Sequence, residues 1–233
     1  MLSQQLTGAL LRDPVAVQSS DLETIRALPN PPLTNLAPED IYVRRCRLAC
    51  DAIDSRGGRF RREDMPRLLE MVQGAPVLIG HDKRSLGVAR FFGGEVEQRG
   101  EVRWIVPKFY FPRAHSGSED LKVMIDSGVY TEASIAFLYE KPTCSICGED
   151  LRSCPHWPGR SYDNRTCHFW YDGIQRVTEG SLVYRGAAPG TGFELLEDES
   201  HADERTPQQD ATAKTLRLKR GGRVYLASLR PLK

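Results

Sequence analysis

The sequence predicts an α+β domain, mainly β, interrupted by a Cys-rich insert. Three observations carry this expectation. Apolar residues alternate with period 2 in several segments, as in Val129, Thr131, Ala133, Ile135 and Phe137. Two segments bounded by turn residues instead carry an apolar helical stripe. Between positions 144 and 168 lie four of the six cysteines and two of the five histidines.

Residues 1–40, rich in Pro, Asn, Ser and Asp, predict an N-terminal arm, with Asn30-Pro-Pro-Leu-Thr34 as a loop. From Ile41 the pattern is strand-like, with Tyr42, Arg44, Cys46, Leu48 and Cys50 on one face. The charges of Arg44, Arg45 and Arg47 predict partial exposure of that strand. Ser55-Arg-Gly-Gly58 is a turn. Glu63 and Asp64, then Pro66, suit a helix start, and Met65, Leu68, Leu69 and Val72 form its apolar stripe, with Gly74 as its stop. Pro76-Val-Leu-Ile-Gly80 is a short buried strand that ends at His81. Strands follow over Val88–Phe92 and Val102–Phe111, with Gly93-Gly94 and Gln98-Arg-Gly100 as turns. Ser116-Gly-Ser-Glu119 carries capping chemistry for a second helix that ends at Gly128. A strand through Ser134 comes next, then the insert over residues 144–173 and a last core strand over Val177–Tyr184. Residues 196–213 are acidic and polar and predict a linker; the basic segment from Thr215 predicts a strand or a docking tail.

Composition is that of a soluble globular chain: 40% hydrophobic, 27% charged, net charge +1. That balance gives no support to binding nucleic acid or a membrane surface. The N-terminus lacks the basic and apolar regions of a signal peptide, so the expected compartment is a cytoplasm. In reducing surroundings six cysteines are expected as thiols or metal ligands.

Cys144-Ser-Ile-Cys147, with Cys154-Pro-His156 close behind and Cys167-His168 further on, has the spacing of a structural Zn²⁺ site. The expected ligands are Cys144, Cys147, Cys154 and His156, with Cys167 as the alternative fourth. A polar insert of this size has little core of its own, which is the physical reason for a metal staple. Cys46 and Cys50 are expected to be packing residues.

Ser134 faces the less apolar side of its strand, where a rigid scaffold can hold a nucleophile. Such a hydroxyl needs a base, and His81 is the one histidine that follows an apolar strand. Glu132-Ala-Ser134-Ile-Ala-Phe137 resembles the nucleophile strand of the phage prohead (capsid-maturation) serine proteases. Gly74-Ala-Pro-Val-Leu-Ile-Gly-His81-Asp82 is similar to their histidine motif, and Thr178-Glu179-Gly-Ser-Leu-Val183 to their acidic motif. The resemblance spans Ile41 to Phe193, with the motifs in the order His, Ser, acid. It implies a closed or partly closed antiparallel β-barrel like that of herpesvirus assemblin, flanked by a few helices and occupying residues 41–195. It implies a Ser134–His81–Glu179 triad, with an oxyanion site at Arg185 and Gly186. The implied substrates are the major capsid protein and scaffold, cleaved inside an assembling prohead in the host cytoplasm, with a homo-oligomer possible. The chain departs from the family pattern at Ala136, where Gly is usual, and at Gly180, where Val is usual. The alternatives are a catalytically inactive homologue with a structural role in the virion and a zinc-stabilised interaction module.

Overall fold

The computed structural model describes residues 16–184 in full and the backbone of three further strands, within 2–11, 214–220 and 223–229. In chain order, strand β1 (Leu2–Leu11) and helix α1 (Ser19–Arg26) precede β2 (Ile41–Arg47). Short strands β3 (Ala49–Cys50) and β4 (Gly58–Arg59) lead to helix α2 (Met65–Met71) and β5 (Pro76–Ile79). The long hairpin of β6 (Ala89–Arg99) and β7 (Val102–Pro112) is followed by helix α3 (Ser118–Asp126) and β8 (Glu132–Tyr139). The insert contains β9 (Lys141–Cys144), β10 (Ser161–Tyr162), β11 (Arg165–Thr166) and β12 (Phe169–Asp172), and β13 (Arg176–Val183) closes the core. Strands β14 (Lys214–Arg220) and β15 (Arg223–Leu229) pair with each other as a hairpin in a separate compact unit. Among the described residues no helix is long and apolar enough to cross a membrane.

The main sheet has the order β2-β1-β8-β13-β5-β6-β7-β3, and β2 has a second partner in β7. The chain is thus α+β and mainly β. The expectation of an antiparallel sheet fails at one place, because β13 runs parallel to β5; in the separate sheet β4-β12-β9, β12 also runs parallel to β4. A parallel neighbour needs a long crossover, and roughly a hundred residues separate β5 from β13.

The N-terminal segment is not a separate arm. Strand β1 lies between β2 and β8, with Leu2–Ala9 in register with Tyr139–Glu132. In α1 and just beyond, Leu22, Ile25 and Leu28 bury against Ile41, Val43 and Phe92 in a small second core. The main core holds Met65, Leu68 and Val72 of the α2 segment, as the stripe predicted, with Phe91, Phe109, Ala133, Ile135 and Phe137. The end of the insert joins this core as well. Tyr171 is fully enclosed, with its ring 5.3 Å from Phe60 and 5.1 Å from both Phe137 and Tyr139. Aromatic pairs at these separations add about 0.5–1.5 kcal/mol each beyond area burial.

Two glycine positions behave differently from expectation. Gly93-Gly94 is no turn but a bulge inside β6, where the register with β7 shifts between Phe92 and Glu95. Gly94 has φ +98°, and a Cβ there would lie 2.4 Å from the Val106 carbonyl oxygen. At Gly180, where the family pattern has Val, the packing leaves no room for a side chain. A Cβ there would lie 2.4 Å from the ring of Phe91, which is fully buried against Phe109. The aromatic ring occupies the volume that a valine would need.

Arg44, expected to be exposed, is buried at 6% exposure because Asp126 on α3 receives its Nε–H and Nη2–H at 2.8 and 2.7 Å. Those hydrogen bonds hold the Asp126 carboxyl below its usual range. A depressed carboxyl stabilises the fold above its unfolded value of about 3.9, and that contribution is lost as pH falls through the folded value. Asp126→Asn is therefore expected to lower stability by about 2 kcal/mol at pH 7, since it strips a buried cation of its partner. In denaturant titrations the gap between wild type and variant should begin to shrink only below about pH 3.9 and close as the folded Asp126 carboxyl protonates. A gap that stays constant throughout the acid range would show that the ion pair is not its cause.

Candidate functional site

The site begins with an irregularity in β13. Val177 is opposite Phe137 on β8, but Glu179, not Thr178, is opposite Ala136. One extra residue on β13 therefore bulges at Thr178, whose hydroxyl donates to the Ala136 carbonyl at 3.0 Å. Without the bulge, with Thr178 paired opposite Ala136, Glu179 would fall opposite Ile135 and face the core. With it, Gly180 and Leu182 take the core face, while Glu179 and Ser181 take the face of Ser134.

Ser181 is directly opposite Ser134 across the antiparallel pair. Side chains so placed are neighbours, with Cβ atoms about 5 Å apart. On the other side of β13, Ser181 is in register with Leu78 of β5, so the turn after β5 delivers His81 onto the same face. Gly80 N–H donates to the Leu182 carbonyl at 2.8 Å, and His81 N–H donates to Ser181 Oγ at 3.2 Å. These bonds hold His81 at φ +59°, a left-handed conformation that L-residues adopt at a cost of about 1–2 kcal/mol.

His81 Nδ1 is 2.7 Å from Glu179 Oε1. With the proton on Nδ1 donated to the carboxylate, Nε2 is left as an acceptor. Glu179 is buried, and its second oxygen, Oε2, accepts the Ser181 hydroxyl at 2.8 Å. One hydroxyl thus satisfies the carboxylate and also anchors the backbone of the histidine. The sequence reading missed Ser181; its signal was the i, i+2 spacing from Glu179, which shares a face in any strand. Ser134 is buried as well, and among the described residues its hydroxyl makes no hydrogen bond, to His81 or to any other group. The three expected residues therefore share one sheet face, with His81 and Glu179 in direct contact and Ser134 across from their common anchor. Ala136 is in register with Glu179, so its methyl stands on the acid's side of this face. Arg185 and Gly186 lie outside the described residues. An apolar cavity of about 410 Å³, lined by Pro32, Leu36, Pro76, Val88 and Tyr110 among others, contains none of these site residues.

The insert forms a second cluster. The ligand atoms of Cys144, Cys147, Cys154 and His156 lie within 4.8 Å of one another, an arrangement that could hold a metal ion. The knuckle is preformed by Gly148 N–H donating to the Cys144 carbonyl at 2.9 Å, with Gly148 at φ +77°. Ile146 N–H points at Cys144 Sγ at 3.4 Å. Burial opposes ionisation of Cys144, but hydrogen bonds from Cys147 and Ile146 outweigh it and hold the thiol below its usual range. His156 Nδ1 is enclosed and has no hydrogen-bond partner among the described residues, so no protein group competes with an ion for that nitrogen. Cys167, the alternative fourth ligand, is 3.9 Å from Cys144 Sγ but is not part of the convergent set. Burial pushes its thiol up to about 11. Burial likewise raises Cys46, and Cys50 to about 11, which suits packing rather than ligation.

No family model matches the chain, and neither the curated proteins nor the solved structures compared with it contain a match.

Proposed function

We propose that this protein is a serine endopeptidase of the prohead-maturation type, acting on capsid and scaffold protein through Ser134, His81 and Glu179. The observation that carries the proposal is the 2.7 Å contact between His81 and the buried Glu179 on the sheet face of Ser134. A half-buried imidazole paired with a buried carboxylate beside a strand-held serine has the composition of a nucleophile, a base and an orienting acid. In this reading the Ser134 hydroxyl attacks the scissile carbonyl, and His81 Nε2 takes its proton and returns it to the leaving amine. Glu179 fixes the tautomer and offsets the positive charge of the imidazolium. The assemblin-like barrel belongs to the same proposal, supported by the second pairing of β2 with β7, which brings the strand order back on itself.

Zinc is the metal that best suits the insert. Three thiolates and one imidazole are a structural zinc set, and Zn–S bonds of about 2.3 Å put tetrahedral ligand atoms about 3.8 Å apart. The cluster's spread of no more than 4.8 Å accommodates that tetrahedron with small adjustments.

A fluorophosphonate probe tests the catalytic reading without knowledge of the substrate. Wild type should be labelled at Ser134, and Ser134→Ala should not be labelled at all. Ser181→Thr and Ser181→Val have nearly the same shape and differ in one hydroxyl. The threonine variant should keep most of the labelling rate, and the valine variant should lose about 10²-fold, a typical share for a group that positions a general base. Labelling of Ser134→Ala at the wild-type rate would sink the proposal. Equal rates for the two Ser181 variants would remove the positioning role.

A further inference from the structure

Glu132 is the second buried carboxylate on the Ser134 face, and its surroundings are unlike those of Glu179. It is 9% exposed and lies two residues before Ser134 on β8, on the same face. Where Glu179 has a partner on each oxygen, Glu132 Oε2 is enclosed with no hydrogen-bond partner, and among the described residues no cation pairs with it. Its register partners across the sheet are Val183 on β13 and Ala9 on β1, neither of which can carry charge. A carboxylate with one oxygen enclosed without a donor, and with no counter-charge beside it, is unfavourable in a folded chain unless something outside the chain supplies them.

We infer that Glu132 is a specificity-determining residue that receives the basic side chain, lysine or arginine, of the substrate residue next to the scissile bond. This rests on the reading of Ser134 as the nucleophile. Two residues along a strand span about 6.6 Å. The four-carbon stem of lysine or the guanidinium fork of arginine bridges such a distance from a carbonyl held at Ser134. The desolvated carboxylate then gains the donors it lacks, and arginine offers two in parallel. A neutral side chain leaves Glu132 unsatisfied, and an acidic one adds like charge, so discrimination comes from both the attraction and the penalty.

The test uses the full-length protein and internally quenched peptides that differ only in the residue preceding the scissile bond: lysine, arginine, glutamine or glutamate. Wild type should cleave the basic peptides about 10²-fold better in kcat/KM than the glutamine peptide. Glu132→Gln should bring that ratio to within about threefold by slowing the basic peptides, and Glu132→Lys should favour the glutamate peptide. An independent arm measures agmatine binding to Ser134→Ala, which needs no catalysis. Binding should weaken at least tenfold when Glu132→Gln is added, and that double variant should unfold at a higher temperature than Ser134→Ala, because a buried unpaired charge is gone. An unchanged peptide preference in Glu132→Gln, a wild-type preference for neutral or acidic peptides, or agmatine binding indifferent to Glu132 would each overturn the inference while leaving the protease reading intact. Cleavage by Ser134→Ala, or agmatine binding without any Ser134-dependent cleavage, would instead overturn the protease reading and this assignment with it.

Discussion

Ser134→Ala is expected to abolish processing of a co-expressed capsid or scaffold protein. The loss should be about 10⁴-fold or more, as for removal of the attacking hydroxyl from a Ser-His-acid site. The fold should be unaffected, since the change removes one oxygen from a residue whose hydroxyl has no hydrogen bond among the described residues. Mass spectrometry of the co-expressed proteins would show the discrete products of wild type disappear, while circular dichroism and the melting temperature stay within about a degree. Glu179→Gln should fall between the two, with a loss of about 10³–10⁴, because an amide can present its N–H to His81 Nδ1 and select the wrong tautomer. Products that persist in Ser134→Ala would exclude the serine mechanism. Absence of products from wild type and variant alike, in the presence of its capsid and scaffold, would favour the inactive structural homologue.

The second large effect is thermal. The purified protein should carry about one equivalent of zinc per chain. Chelation, or Cys144→Ala, should lower the melting temperature by about 10 °C, since even a few kcal/mol of metal-linked stability corresponds to that shift in a domain of this size. The effect should not stay local. Cys144 is the last residue of β9 and is in register with Phe169 of β12, two residues before Tyr171 in the central aromatic cluster. Near-ultraviolet circular dichroism of the tyrosines should therefore change along with loss of the metal. A protein that carries no metal and melts unchanged in chelator would rule the ion out. Loss of the metal without a tyrosine signal would confine its role to the knuckle.

What the sequence disclosed follows from the range of the forces involved. Alternation located β2, β7, β8 and β13, and the Met65, Leu68, Val72 stripe located α2, because those patterns are local consequences of burying one face. The cysteine spacing located the cluster of Cys144, Cys147, Cys154 and His156 for the same reason. What stayed hidden depends on distant partners. Arg44 looked solvated because Asp126, far along the chain, cannot be read from the strand itself. The reason for Gly180 in place of the family's Val is not local either, because Phe91, which fills the space of a side chain there, lies on another strand. Strand β1 was hidden because Leu-Ser-Gln-Gln-Leu-Thr-Gly carries only one β-branched residue and gains its place by pairing with β8. The proximity of His81 to Glu179 was anticipated by motif order alone, while the role of Ser181 needed the cross-strand register to be seen.

The bulge at Thr178 has a genetic consequence. Loss of that single codon would leave Val177 opposite Phe137 and Glu179 opposite Ala136 in an unbroken ladder, with every side chain of the site still on its face. The same loss one step further on would not be neutral: without Gly180, Ser181 would fall opposite Ile135 and turn into the core. Descendants of this chain can therefore shed Thr178 and keep the Glu179–Ser181 arrangement, but can lose that arrangement by one in-frame deletion at Gly180 with Ser134, His81 and Glu179 all still present in their sequences.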